Sequence, residues 1–286
     1  MSARRRMRVA IVGAGVMAEA MISGLLADEA VAPDDLVASH PRPERREVLA
    51  ERHGVRTVAT NADALADAEI VVLAVKPQML SRVMRELRGA LQQEQVVLSI
   101  VAGATLRSLV DGLGHTAAVR AMPNTPAQIR RGITVWSAAE ACTADQRELA
   151  RAVLRALGEE REVAEEDFVA MATALSGTGP TYLFAVMEAL IDAGVHLGFP
   201  RELAHDLVVA TLIGSAEYAQ RSDLHPAQLR NAVTSPGGTS AAAIYELEKG
   251  RYRTVLSDAV WAAYRRTLEL GARLEGEVTA ERGDGT

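Results

Sequence analysis

Arg8-Val9-Ala10-Ile11-Val12-Gly13-Ala14-Gly15-Val16-Met17-Ala18 is the stretch that decides the fold. A short run from Val9 to Val12 with no polar alternation reads as a strand buried on both faces. A glycine-x-glycine follows it at once, and then a helical pattern running to about Ala27. Gly13 permits a tight turn, and Gly15 lets the backbone approach a pyrophosphate. Ala18 is small enough for the helix to lie close to the strand. The free N–H groups at the start of such a helix carry partial positive charge and suit phosphates. A glycine turn that merely joins strand to helix has the same spacing. The strand before it and the helix after it favour dinucleotide binding.

Outward from this loop, apolar runs alternate with helical patterns as far as Val163. They are Leu36-Val37-Ala38, Ile70 to Val75, Val96 to Ile100 and Ala117-Ala118-Val119. Continuous apolar strands separated by helices predict a parallel sheet covered on both faces. From about Glu165 helices take over. Pro180 and Pro200 sit where first helical turns belong, and Leu183, Phe184, Met187, Leu190, Ile191 and Val195 recur at helical spacing. The expected architecture is an α/β Rossmann-like dinucleotide-binding domain over 1–164, followed by an all-α domain over 165–286. The second domain carries apolar faces that so few helices can hardly bury alone, so an obligate homodimer through that half is expected. The polar, Gly-containing tail Glu275 to Thr286 is expected to fray. The basic start, Met1 to Arg8, reads as a ragged cytoplasmic N-terminus.

Composition narrows the class of protein. A net charge of -6 and an aromatic content of 3% argue against a nucleic-acid partner, which needs a basic surface or stacking platforms. No apolar run has the length of a membrane span. The single cysteine, Cys142, excludes an internal disulfide and fits a reducing cytoplasm. There is no GxSxG elbow, no HExxH and no metal-ligand spacing, and His196, His205 and His225 are too scattered to act together. Chemistry that asks little of side chains, such as hydride transfer from a cofactor, fits best.

The cofactor is expected to be NADPH, with NADH weaker. An NAD enzyme places an acid at the end of its second strand, on the ribose 2′-hydroxyl. Here that stretch reads Ala38-Ser39-His40-Pro41-Arg42-Pro43-Glu44-Arg45-Arg46, with no acid at the strand end. Ser39 and Arg42 are expected at a 2′-phosphate, and Arg45 and Arg46 on a solvated helix face. Asn61 follows the third strand and Lys76-Pro77 the fourth, at the carboxyl ends where ligands of open α/β sheets bind; Lys76 reads equally well as a surface lysine.

In the second half, Thr234-Ser235-Pro236-Gly237-Gly238-Thr239-Ser240 precedes an Ala-rich helix, Ala241 to Glu248. Its hydroxyls and glycines suit a carboxylate or phosphate. An N-cap turn is the plainer reading, but a cap needs one such residue, and the glycine pair has no evident structural need. Ser176-Gly177-Thr178-Gly179-Pro180 repeats the pattern, with anion binding and simple capping equally supported.

Together these motifs resemble the pyrroline-5-carboxylate reductase family over nearly the whole chain. GAGVMAEA from Gly13, AVKP from Ala74, MPNTP from Met122, SGTGP from Ser176 and TSPGGTS from Thr234 occur in that family's order and spacing. The resemblance implies NAD(P)H-dependent reduction of the cyclic imine 1-pyrroline-5-carboxylate to L-proline, and interlocked homodimers assembled into larger rings such as a decamer. It implies Gly13, Gly15, Val16 and Met17 at the pyrophosphate, and Ser39 at the 2′-phosphate. Asn61, Ala74, Val75, Lys76 and Pro77 would line the ribose and nicotinamide. Ser235, Gly237, Gly238, Thr239 and Ser240 would receive the substrate carboxylate and ring nitrogen, with Ser240 the catalytic hydroxyl. The chain departs from the family pattern at Thr178, Thr181 and Ser240, where Ser, Ala and Thr are usual. The rival readings are another imine reductase, a β-hydroxyacid dehydrogenase or a non-catalytic NADP-binding sensor. The dehydrogenase needs a lysine in the long helix after the domain boundary, and the only lysines are Lys76 and Lys249. The sensor has no use for the 235–240 donors.

Overall fold

The computed structural model describes residues 7–283. The expectations for the extreme N-terminus and the last three residues lie outside them.

The sheet begins with β1 (Val9–Val12), and α1 (Val16–Ala27) follows across the glycine loop. Then come β2 (Leu36–Ser39), α2 (Pro43–His53), β3 (Arg56–Val58), β4 (Ile70–Leu73), α3 (Leu80–Leu87), β5 (Val96–Ser99), α4 (Leu106–Leu113) and β6 (Ala118–Met122). After them run β7 (Gly132–Ala138), α5 (Ala144–Arg155), β8 (Gly158–Glu162) and α6 (Asp167–Ala172). The strand order is β3-β2-β1-β4-β5-β6-β7-β8. β1 to β6 pair in parallel, whereas β7 runs antiparallel to β6. Both faces are covered, as continuous apolar strands require. Val9 and Ile11 join α1 and α5 residues such as Met21, Leu25 and Val153. Ala10 and Val12 join Leu80, Met84 and Leu109 on the other side.

The last two strands are not legible as a buried parallel pattern. β8 reads Gly-Glu-Glu-Arg-Glu and forms the sheet edge, where charge is tolerated and discourages further pairing. Its acids are matched from α5: Arg147 and Arg151 pair with Glu162 at 2.7 and 2.5 Å. Glu160 accepts from the buried Trp136 indole at 2.8 Å.

Helices α7 (Gly179–His196), α8 (Arg201–Gln220), α9 (Pro226–Ala232), α10 (Thr239–Lys249) and α11 (Tyr252–Gly283) complete the chain. The chain divides into two compact units, but not at 164/165. One unit extends through Thr178 and regains the chain from Ala263 onward; the other is Gly179–Ala262. The tail expected to fray from Glu275 is the end of α11. Leu274 and Val278 are buried in the core shared with α3 and α4. Thr105 donates to Glu275, and Ser81 to Glu277, both at 2.7 Å. Two apolar residues one turn apart were enough to dock a segment that composition alone marks as polar. Within Gly179–Ala262, α7 and α8 pack so closely that a Cβ on Gly194 would stand 3.0 Å from Ala204 Cβ. Yet the apolar face of α7 is not buried by this chain: Leu183 and Phe184 are more than half exposed. Among the described residues, no helix is long and apolar enough to cross a membrane.

One ion cluster ties α1 to α2. Glu19 accepts from Arg45 and Arg52 at 2.6 Å and lies 3.2 Å from His53 Nε2. Burial pushes the Glu19 carboxyl up, but hydrogen bonds from Arg45, His53 and Arg52 and the Arg45 charge bring it down to about 2. A carboxylate with a depressed pKa adds stability that is present above its unfolded value of 4.5 and lost as pH falls through about 2. The difference corresponds to at most about 3 kcal/mol. Thermal melts of wild type and Glu19→Gln should show a gap near neutral pH that closes between pH 4.5 and 2. A pH-independent gap would mean that the Glu19 charge contributes nothing.

Candidate active site

The order β2-β1-β4 places the carboxyl ends of β1 and β4 side by side at the point where the strand order reverses. This is the crevice in which open α/β sheets bind ligands. Gly13 leaves β1 with φ +90°, and its N–H donates to Ser39 O at 3.2 Å. A Cβ there would stand 2.6 Å from Val75 Cγ1 and 3.0 Å from Ala74 O. Gly13 is therefore required by the protein itself. Gly15 is different. Its φ is −78°, and nothing lies within 4 Å of the position its Cβ would take. It begins α1 without a side-chain cap. The N–H groups of Gly15, Val16 and Met17 have no hydrogen-bond partner among the described residues. Open space beside three free, aligned donors fits a pyrophosphate.

The neighbouring loop corrects three expectations. Ser39 is fully buried, and its hydroxyl donates to Asn61 Oδ1 at 2.8 Å. It presents no group to a phosphate and instead holds Asn61, whose Nδ2 donates to Glu86 at 2.7 Å. Arg45 and Arg46 are half-buried and bonded rather than free on a solvated face. Arg45 donates to Ala14 O, and Arg46 to His40 O and Pro41 O at 2.7 and 2.9 Å. Arg45 and Arg52 lie seven residues apart on one face of α2, a pattern visible in the sequence as a basic stripe. Burial and the charges of Arg42, Arg45 and Arg46 push the His40 imidazole below its usual range. The neutral ring accepts from the Arg42 N–H at 3.2 Å. The Arg42 guanidinium, at the start of α2, is exposed and unpaired among the described residues. Of the residues expected at a 2′-phosphate, Arg42 alone offers a free cation. Lys76 is likewise exposed and unpaired among them, and Val75 and Pro77 sit beside it where β4 ends.

The two hydroxyl-rich segments are not alike. Around Ser176 the chain forms one π-helical turn, Thr173–Gly177. Ser176 Oγ donates to Ala172 O at 3.0 Å and Thr178 Oγ1 to Thr173 O at 2.9 Å, so both hydroxyls are spent on backbone. Asn124 holds this turn by donating to Ser176 O at 3.2 Å while accepting from Ile133 N–H at 3.0 Å. That role of the MPNTP motif was not legible in the sequence, because Ile133 and Ser176 are remote in the chain.

The 234–240 loop keeps most of its hydroxyl donors free among the described residues. Thr234 Oγ1 bonds to Arg230 O at 2.7 Å. The hydroxyls of Ser235, Thr239 and Ser240, and the N–H groups of Thr239, Ser240 and Ala241, have no partner among the described residues. The glycine pair does have a structural cause, contrary to expectation. Gly237 adopts φ +70°, and a Cβ on Gly238 would lie 2.6 Å from Ser235 Oγ. The unpartnered donors at the start of α10, not the glycines, make this loop suited to an anion. The scattered histidines serve locally; His225 caps α9 by accepting from Ala227 N–H at 3.2 Å.

Comparison with known proteins agrees with this geometry. Residues 166–270 match the family model for pyrroline-5-carboxylate reductase dimerisation, and 8–103 the model for coenzyme F420-dependent NADP oxidoreductases. A pyrroline-5-carboxylate reductase of Synechocystis sp. is 40% identical, over 93% of this chain and 99% of that protein. The structure of a Coxiella burnetii pyrroline-5-carboxylate reductase superposes with a TM-score of 0.85 at 36% identity, covering 93% of this chain and 99% of that one. A Plasmodium falciparum pyrroline carboxylate reductase with NADP bound gives 0.86 at 27% identity, covering 94% of this chain and 100% of that one.

Two substitutions separate the parts of the dinucleotide cradle. Gly15→Ala meets open space at an ordinary φ, so it should leave the thermal midpoint unchanged and weaken NADPH and NADH alike. Arg42→Ala should weaken NADPH by about 10- to 100-fold and barely affect NADH, as loss of one charge-assisted contact predicts. Fluorescence titration of both cofactors decides. Equal effects of Arg42→Ala on the two would show that Arg42 does not read the 2′-phosphate.

Proposed function

The chain belongs to the pyrroline-5-carboxylate reductase family, and on that premise we propose how its own residues reduce 1-pyrroline-5-carboxylate to L-proline. It is an NADP-dependent oxidoreductase acting on a CH–NH group, and it forms homo-oligomers. The N–H groups of Gly15, Val16 and Met17, reached past Gly13, hold the pyrophosphate, and Arg42 holds the 2′-phosphate. Asn61, Ala74, Val75, Lys76 and Pro77 line the ribose and nicotinamide. NADPH, when bound, supplies a hydride to the imine carbon once the nitrogen has taken a proton from water, and the two together give the ring amine.

Ser235, Gly237, Gly238, Thr239 and Ser240 bind the substrate. The backbone donors at the start of α10 anchor its carboxylate, and the Ser240 hydroxyl donates a hydrogen bond to the nitrogen of the neutral imine and relays to it a proton from water. A protonated imine is already electrophilic, so orientation is the main contribution asked of the protein. The observation that carries this reading is the set of unpartnered hydroxyls and amides packed into residues 235–240.

The assembly we propose is a dimer through residues 165–286, further assembled into a decamer. It is supported by the exposed apolar residues of α7 and α8, Leu183, Phe184, Leu207 and Ile213 among them. Cytoplasmic location is supported by the single cysteine, which has no partner for an internal disulfide. Sedimentation at assay concentration should show no active monomer.

Steady-state kinetics test the substrate loop. Ser240→Ala should lower turnover and leave NADPH affinity intact, while Ser240→Thr, which keeps the hydroxyl, should be tolerated. Unsubstituted 1-pyrroline should lose roughly 2–4 kcal/mol of kcat/KM relative to the carboxylated imine, or about 30- to 1000-fold, because donors are left unpaired and the ring loses orientation. Equal efficiency with both imines would refute the anion site.

A further inference from the structure

A trans peptide points its carbonyl and the following N–H in opposite directions. Whatever grips the carbonyl of Ala14 therefore aims the N–H of Gly15. Arg45 Nε donates to that carbonyl at 2.8 Å and is its only partner among the described residues. The first turn of α1 does not use it, because the helix opens with Glu19 N–H donating to Gly15 O at 3.0 Å. Ala14 is buried, so without Arg45 its carbonyl would be an unsatisfied acceptor away from water. The Ala14–Gly15 peptide also joins the one non-glycine residue between Gly13 and Gly15, where the backbone rotates at low cost. A flip of that peptide would turn a carbonyl oxygen toward the phosphates in place of a donor.

Arg45 is itself held. Its Nη2 donates to Glu19 Oε2 at 2.6 Å, and the other Glu19 oxygen takes Arg52 Nη1 at 2.6 Å and faces His53 Nε2. The Arg45 and Glu19 side chains are only 21% and 18% exposed, so the fork is largely shielded from competing water. Arg52, at 63%, is a solvated outer partner.

We propose that Arg45, oriented by Glu19, is a positioning residue that locks the Ala14–Gly15 peptide with its N–H toward the pyrophosphate; this rests on the reading of Gly13 to Met17 as the pyrophosphate loop. Arg45 touches neither the cofactor nor the substrate. Its loss is felt through a part of the dinucleotide that NADPH and NADH share.

The test titrates the full-length protein with NADPH and NADH, and with adenosine 2′-monophosphate, which carries the 2′-phosphate but no pyrophosphate. Arg45→Ala should raise both dinucleotide dissociation constants by the same factor, about tenfold, and leave adenosine 2′-monophosphate unchanged. The imine KM at saturating cofactor should not move. Arg45→Lys keeps the charge but cannot bond Ala14 O and Glu19 in one fork; it should give a smaller loss, and it serves if the alanine variant does not fold. Arg52→Ala should bind all three ligands as wild type does. Wild-type affinity in both Arg45 variants would overturn the proposal. A loss confined to NADPH and adenosine 2′-monophosphate would also overturn it, by making Arg45 a phosphate ligand. If Gly15→Ala leaves both dinucleotides unaffected, the pyrophosphate-loop reading fails. If Gly15→Ala weakens them and Arg45 variants do not, only the role of Arg45 fails.

Discussion

Where β1 ends there is no room for a methyl group. A Cβ on Gly13 would lie 2.6 Å from Val75 Cγ1, so the first and fourth strands can reach the crevice together only with glycine there. That close approach aligns the carboxyl ends of β1 and β4 and lets α1 start directly above them. It also leaves the first N–H groups of α1 without intrahelical partners, as the start of any helix must. The same steric limit that packs the sheet thus creates the donor array that suits a pyrophosphate. Gly13 belongs to the first task and Gly15 to the second, although the two are a single motif in the sequence.

Charge around that array is organised in layers. Glu19 pairs with both Arg45 and Arg52, which hold its carboxyl down to about 2. Arg46 is consumed by the His40 and Pro41 carbonyls. What is left over among the described residues near this array is Arg42, an exposed guanidinium just ahead of α2. A lone, exposed cation can meet a dianionic phosphate without first breaking an ion pair.

The Gly179–Ala262 unit depends on a different constraint. Only Pro180 and Ala204 in it are buried, while leucines, phenylalanine and tyrosines along α7, α8 and α10 stay largely exposed. A bare helical surface of that kind is stable only when covered. The match of residues 166–270 to a dimerisation family supplies the cover: another copy of the chain.

By itself the sequence determined the parts whose physics is local or periodic. Apolar runs at β1, β4 and β5, the helix start after Gly15 and the absence of an acid after Ala38 each depend on neighbours in the chain. So do the donor-rich residues ahead of α10, and all were legible on that account. Tertiary structure decided what depends on partners remote in the chain. The charged β8 becomes a strand because arginines of α5 donate to its acids. The polar tail stays helical because Leu274 and Val278 find the α3–α4 face. Ser39 turns inward because Asn61 waits one strand away, and Arg45 is half-buried because the Ala14 carbonyl has no other donor among the described residues. A one-dimensional pattern records what a residue can offer; which of its bonds is made depends on what folding brings within about 3 Å of it.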